Sequence, residues 1–576
     1  MGSALLRLSI LCKKLNIAIH RLSLTELHRS VEAFARKELN LRAFVRANQG
    51  DLCRIGYFVV AAFLFVFATW KRFSLPQDPL AEGDHGYLWP ALMKLSGGAF
   101  AHIQGLNFLY PGMIYLILRT CADFRAISVI QHLLGLIAGG LFLATWSRLA
   151  DFFPKSRLNR VAHEAMGLFG ASMYLLSNGP IFFEMQIRPD AVCMFFEILI
   201  FWLIVQFFYY RAISSNARKM VVYGIAVAIN AFLLASLKPS FTLMALLAVA
   251  PVIWLILNAT GNLAGKVVFF SVAVPIIVAL TLTEHYLRRN DQTVKTFLPE
   301  TLFVIHANII QAQMAADLKN DKTDGYPREW LQVASDDLKK EIVRSRHQHP
   351  FPVLGFQPNY LMNGSDSLLD HWDHQLGEEP FLRFLHYWYW HSMVKRPLAF
   401  AEEITRQLEI FYSTNCPAFR TYKILRLSSS AYAARFSAVS DSQSSTLLLH
   451  SKAGSDFLER TNQLRFADIV IRQDKRVRAW DALCARTYLA IFLLSVPLAG
   501  WFLFRRPGAE HSQWPAFLVL FLYSANFGNV LGISIIHTME VDRYSMVLFI
   551  TALLAQLYAI RWLLEIALAR LSETHL

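Results

Sequence analysis

Charge is scarce in this chain. Of its 576 residues only 17% are Asp, Glu, Lys or Arg, and 55% are hydrophobic; soluble domains average about 25% charged residues. The shortage is uneven, because long apolar runs alternate with a basic N-terminus and one long polar stretch. That pattern excludes a uniform soluble core and indicates membrane spans plus an extramembrane domain. Cysteine is scarce too. Cys12, Cys53, Cys121, Cys193, Cys416 and Cys484 have no metal-ligand spacing. A Cys416–Cys484 disulfide is conceivable, with free thiols the expected state. There is no GxGxxG, Walker or GxSxG element, so ATP-driven transport and serine-hydrolase chemistry lack support. Internal repeats and low-complexity tracts are missing as well. The net charge is +14, yet no basic stripe with interleaved aromatics appears in a soluble segment, and nucleic acid is not an expected partner.

What is present is a set of apolar runs. A span needs about 20 mainly apolar residues, and ten candidates emerge at 56–74, 127–147, 163–182, 190–210, 220–237, 239–258, 266–285, 487–504, 514–535 and 545–565. Between 220 and 258 the chain reads Leu237-Lys238-Pro239-Ser240; proline disfavours helix at the residue before it, so a tight turn between two spans is expected. The expected fold is an all-α polytopic membrane protein with a basic amphipathic segment at 1–55. A transmembrane module follows at 56–285, with interfacial helices in its first outer loop (71–126). Next come a periplasmic domain at 286–486, further spans at 487–565 and a tail at 566–576. Residues 1–54 carry many charges and no cleavage pattern, with Leu5, Leu6, Ile10, Leu11 and Leu15 at helical spacing, and so read as a surface helix rather than a signal peptide, with a soluble extension the equal alternative for the second half. Membrane lipids are thus expected partners.

Lysine and arginine set the orientation. With the N-terminus inside, the short inner loops hold Arg148, Lys155, Arg157, Arg160, Arg211, Arg218, Lys219, Lys266, Arg505 and Arg506, and the short outer turns only Arg188, Lys238 and Arg543. Lys71 and Arg72 run against the bias. Both termini are expected on the cytoplasmic side.

The outer turns hold the chemistry. Glu82-Gly-Asp84-His85-Gly86-Tyr87 puts two carboxylates in a small volume, suited to a divalent metal, to a general base, or to a plain acidic turn. Glu184-Met-Gln-Ile-Arg188-Pro189-Asp190 is a short turn. There Asp190 could favour a helix start and pair with Arg188, or serve as a second functional carboxylate. Lys238 could snorkel or hold a phosphate, and Arg543, in Glu540-Val-Asp542-Arg543-Tyr544, could bind phosphate bidentately or pair with its acidic neighbours. Of the histidine groups His347/His349, His371/His374 and His386/His391, the HxH and HxxH spacings of the first two can place two ligands on one metal, but no Cys completes a set. The aromatic segment Phe381 to Trp390 is expected to lie on the bilayer.

Taken in order, Glu82-Gly-Asp84 with Tyr87, Tyr110-Pro111-Gly112, Glu184…Arg188-Pro189-Asp190, Lys238-Pro239-Ser240 and Asp542-Arg543-Tyr544 resemble the C-type (GT-C) membrane glycosyltransferases. That superfamily includes protein O-mannosyltransferases and lipid A aminoarabinose transferases. The resemblance implies a hexosyl- or pentosyltransferase that uses a polyprenyl-phosphate sugar at the periplasmic face of a bacterial inner membrane. It assigns catalysis to Asp84, Glu82 and Asp190, and substrate binding to Glu184, Arg188, Lys238, Arg543, Tyr544, Tyr87 and His85. Glu82 and Asp84 would hold a divalent metal. Many relatives have paired aspartates or Asp-Glu where this chain has ExD followed by His85. A polysaccharide ligase or polymerase and a lipid or solute transporter are the competing readings; for the latter, Glu197 and His132 are the main ionisable residues within spans.

Overall fold

The computed structural model describes residues 49–576 apart from 81–84, 101–106, 154–155, 260–262, 290–292, 324, 347–351, 364–366, 428–442, 506–509, 537–540 and 574–576. The amphipathic segment expected before residue 49 therefore lies outside the described residues, as do Glu82, Asp84, His347, His349 and Glu540. The chain is all-α, 83% helical, and by internal contacts divides into Met1–Leu64 and Phe65–Leu576.

Nine described helices are long and apolar enough to cross a membrane. They are α1 (Gln49–Phe73), α4 (Arg125–Leu149), α7 (Asp190–Ala212), α8 (Ala217–Leu237), α9 (Thr242–Leu257), α10 (Leu263–Arg288), α20 (Lys475–Arg505), α21 (Glu510–Ile536) and α23 (Phe549–Glu573). Between α1 and α4 lie the short helices α2 (His85–Leu95) and α3 (Leu109–Cys121), and α22 (Val541–Val547) precedes α23. The Lys238-Pro239 break is a turn, as expected: Lys238 is extended and one 3-10 turn, Pro239–Phe241, leads into α9.

The tenth expected span, 163–182, is not one helix. It divides into α5 (Arg160–Leu176) and α6 (Asn178–Glu184), with Ser177 extended between them. Pro180 explains the break, since it has no N–H for the carbonyl four residues back and its ring clashes there. The carbonyls freed at the end of α5 are taken up by α1. Arg72 Nη1 donates to Leu175 O at 2.8 Å and Lys71 Nζ to Leu176 O at 2.5 Å. A helix C-terminus carries partial negative charge, so these two cations are where that end attracts them. Their departure from the charge bias has a local cause.

The segment between α10 and α20 is mainly helical: α11 (Thr293–Ile305), α12 (Ala307–Lys319), α13 (Arg328–Arg344), α14 (Asn359–Asn363), α15 (Leu368–Leu376), α16 (Glu378–Lys395), α17 (Pro397–Phe411), α18 (Gln443–Leu449) and α19 (Lys452–Leu464). Its own core contains Phe303, Trp372, Phe381, Phe384, Leu385 and Trp388. The Phe381–Trp390 stretch thus fills an interior instead of lying on a bilayer. Residues 381, 384, 385 and 388 share one face of α16 and meet Trp372 and Phe303, leaving Trp390 exposed.

Two strands close the segment. β1 (Ile424–Arg426) pairs antiparallel with β2 (Val470–Arg472), Leu425 opposite Ile471. Leu425, Leu427 and Ile471 pack on Leu80 and Met185, and Arg460 Nε reaches Asp78 at 2.6 Å. The long segment is therefore seated on the same bundle end as the first loop and the 184–190 turn, called the insert side below.

Candidate functional site

Glu184 ends α6 inside a buried cage. Arg72 grips it bidentately, Nε to Oε2 at 2.7 Å and Nη2 to Oε1 at 2.9 Å, and His132 Nδ1 lies 2.7 Å from Oε2. All three side chains are essentially solvent-free. Burial alone would raise the Glu184 carboxyl; the Arg72 guanidinium and the His132 ring outweigh it and hold the group below its ordinary 4.5. Such close approach needs Gly135 on α4, where a Cβ would fall 2.0 Å from Glu184 Oε1.

The cage fixes the turn that follows. Gln131 Nε2 donates to the carbonyls of Glu184 and Gln186, both at 2.9 Å. Leu80 forms a parallel bridge with Gln186, its N–H on Met185 O at 2.7 Å and its C=O accepting from Ile187 N at 3.0 Å. Leu80 is thereby anchored beside the turn shortly before Glu82 and Asp84, which are outside the described residues. On their far side α2 begins at His85, whose side chain is likewise not described, and Tyr87 packs edge-on against Tyr110 at 5.5 Å. Tyr110 in turn donates to Gln131 at 3.0 Å. Burial, and then the charge of Asp190, push its phenol well above 10.

Asp190 opens α7 behind Pro189, where the free N–H groups and the helix dipole favour a carboxylate. Helix capping does not account for its surroundings. Fully buried, it accepts from Lys238 Nζ at 2.7 Å through Oδ1, and Arg543 Nε lies 3.8 Å from the same oxygen. Arg188 acts on its charge as a third cation. Among the described residues Asp190 Oδ2 has no hydrogen-bond partner. Lys238 does not snorkel. It is 4% exposed, its ammonium 3.7 Å from the Tyr544 ring centroid, and burial pushes it below the ordinary lysine value despite Asp190. Arg543 lies over the same ring at 4.8 Å. The Asp542 side chain is outside the described residues.

Backbone contacts hold the Lys238 turn. A Cβ on Gly532 of α21 would lie 2.9 Å from Ser240 O, and one on Gly528 would lie 2.5 Å from Leu247 Cδ1. This Gly-x-x-x-Gly pair permits close helix approach and was a signal available in the sequence. Deeper along α7, Glu197 accepts from Thr551 Oγ1 at 3.2 Å.

The structure thus brings Asp190, Arg188, Lys238, Arg543 and Tyr544 together, puts Tyr87 on Tyr110 beside them, and gives Glu184 to Arg72 and His132. Sequence reasoning missed the last two as its partners, although Arg72's breach of the charge bias and His132's place inside a span were both visible. Among the described residues no group of three His, Cys, Asp or Glu could hold a metal ion, and the five described cysteines are free.

By helix length and hydropathy this is a multi-pass helical membrane protein with a buried cation–carboxylate cluster at one end of the bundle. No family model, no curated protein and no solved structure matches the chain.

Proposed function

We propose that this chain is a membrane glycosyltransferase of GT-C type that moves a sugar from a polyprenyl-phosphate donor to a lipid, glycan or protein acceptor with inversion. One observation carries the reading: three cations, Arg188, Lys238 and Arg543, gather about a single buried carboxylate, Asp190, over the face of Tyr544. Cations aimed at one buried point suit a phosphate, whose charge grows as it leaves. In this reading Asp84 takes the proton of the acceptor hydroxyl. The acceptor oxygen attacks the anomeric carbon from the side opposite the phosphate, and the carbon–oxygen bond to phosphate breaks. Polyprenyl phosphate departs with the electron pair, held by the cations. Asp190 keeps those cations placed, and Leu80, four positions before Asp84, is bridged to Gln186 in the same turn. Glu82 and Asp84 are the residues that would hold a divalent metal, and no step here is routed through one. The reading includes both termini in the cytoplasm and the site at the periplasmic face of a bacterial inner membrane.

One observation favours a transporter instead. Glu197 is a fully buried carboxyl inside a span, and its Oε1 has no hydrogen-bond partner among the described residues; intramembrane ionisable groups often mark transport paths. A single comparison separates the two. Asp84→Asn abolishes sugar transfer from a polyprenyl-phosphate sugar while leaving the protein folded and inserted, and Arg543→Ala weakens donor binding. Undiminished transfer by Asp84→Asn refutes the mechanism, and normal donor affinity in Arg543→Ala refutes the phosphate role.

A further inference from the structure

A second group of cations, outside the Asp190 cluster, lies at the insert-side end of α20. This helix has 31 residues, about 46 Å at 1.5 Å per residue, whereas about 20 residues cross the hydrocarbon. Counting back from Arg505 puts Arg486 at the insert-side edge of the hydrocarbon and Lys475 to Leu483 among the headgroups. There the helix has an open groove of about 320 Å³ lined by Ala479, Trp480, Ala482, Leu483 and Arg486. Trp480 and Leu483 are each 47% exposed, and Trp480 packs edge-on against Phe169 of α5 at 5.1 Å.

Charge lies along the same face. Arg486 lines the groove, and positions 475, 478, 479, 482 and 486 recur at helical spacing, so Lys475 and Arg478 lie on the same helix face, toward its N-terminal end. None of the three has a carboxylate ion pair among the described residues. The nearby acids point elsewhere. Asp474 Oδ1 accepts from the backbone N–H of Arg476 and Val477, and buried Asp481 accepts from Gln473 at 3.3 Å.

We infer that this groove is a binding site for an anionic phospholipid of the insert-side leaflet. Lys475, Arg478 and Arg486 would hold the headgroup phosphate, with Trp480 and Leu483 against the glycerol and upper acyl region. The argument is charge complementarity at headgroup depth. An aromatic at the interface, small residues between the cations and an apolar span below match the three zones of one lipid. The inference is independent of sugar transfer.

The test uses the full chain in detergent, exchanged into nanodiscs with equimolar phosphatidylglycerol and phosphatidylcholine, followed by quantification of the lipid retained after re-extraction. The wild type is expected to retain phosphatidylglycerol preferentially. Each cation near an anionic surface contributes about a fivefold factor, so the combined Lys475→Ala, Arg478→Ala, Arg486→Ala variant should lose about tenfold or more of that preference at low salt. Ala482→Glu, which puts a negative charge in the groove, should lose it with the three cations intact. Unchanged melting temperatures in both variants would separate lost binding from misfolding. A wild type without preference overturns the inference, as does a triple variant that keeps it. In a second set of nanodiscs with polyprenyl phosphate added in an amount equal to phosphatidylglycerol, stronger retention of polyprenyl phosphate overturns the assigned occupant.

Discussion

Gly135→Ala tests the Glu184 cage with a single carbon atom. The added Cβ would lie 2.0 Å from Glu184 Oε1 and 2.6 Å from Cδ, well inside van der Waals contact. Glu184 cannot retreat without giving up the Arg72 fork or the His132 contact. Breaking a buried charge pair costs about 3–5 kcal/mol, and the intrinsic gain from Gly to Ala in a helix returns about 1 kcal/mol. A net loss of about 2–4 kcal/mol should follow. Gly140, on the same helix, is the control, since a Cβ there meets only Phe65 Cζ at 3.8 Å. In detergent, thermal unfolding followed by size-exclusion recovery should show Gly135→Ala melting clearly below wild type and Gly140→Ala at or near it. Equal melting of the two variants would refute the claim that the carboxylate is held rigidly against α4.

Two further outcomes concern the same groups. Asp190→Asn leaves Lys238, Arg543 and Arg188 facing one another and should destabilise by about 3–5 kcal/mol. Lys238→Met should cost less, because Arg543 remains 3.8 Å from Asp190; the reverse order of melting temperatures would contradict the cluster. Acid should weaken the Glu184 cage. Its carboxyl is held below 4.5 in the folded protein, so the unfolded chain takes up the proton first. The stability it contributes is then fully present above 4.5 and is lost as pH falls through the lower folded value. The difference in melting temperature between wild type and Glu184→Gln should therefore shrink below pH 4.5, and a constant difference from pH 7 to 3 would argue against it.

Much of the architecture was legible in the sequence because spans declare themselves by length and apolarity. The Lys238-Pro239 turn was legible through proline alone. The division of 163–182 was not, because the run is apolar throughout and only the spacing of Ser177 and Pro180 marks the break. Phe381–Trp390 was misread for a related reason. Composition cannot distinguish an aromatic face turned to lipid from one turned to Phe303 and Trp372. Asp190, Lys238 and Arg543 were picked out singly as charges at span ends, but their convergence on one oxygen is tertiary and has no local signature. Glu184 was read with its own turn, as a substrate-binding group. Its actual partner, Arg72, is 112 positions distant.

That distance has a consequence for biogenesis. Lys71 and Arg72 find their acceptors 105 and 103 residues downstream, on carbonyls that exist as free acceptors only once α5 has ended at Ser177. While the ribosome is still making that stretch, Lys71 and Arg72 lack these acceptors. The helix that carries them is thus fixed only after Glu184 has been made, so truncation before Glu184 should leave Arg72 without its carboxylate fork.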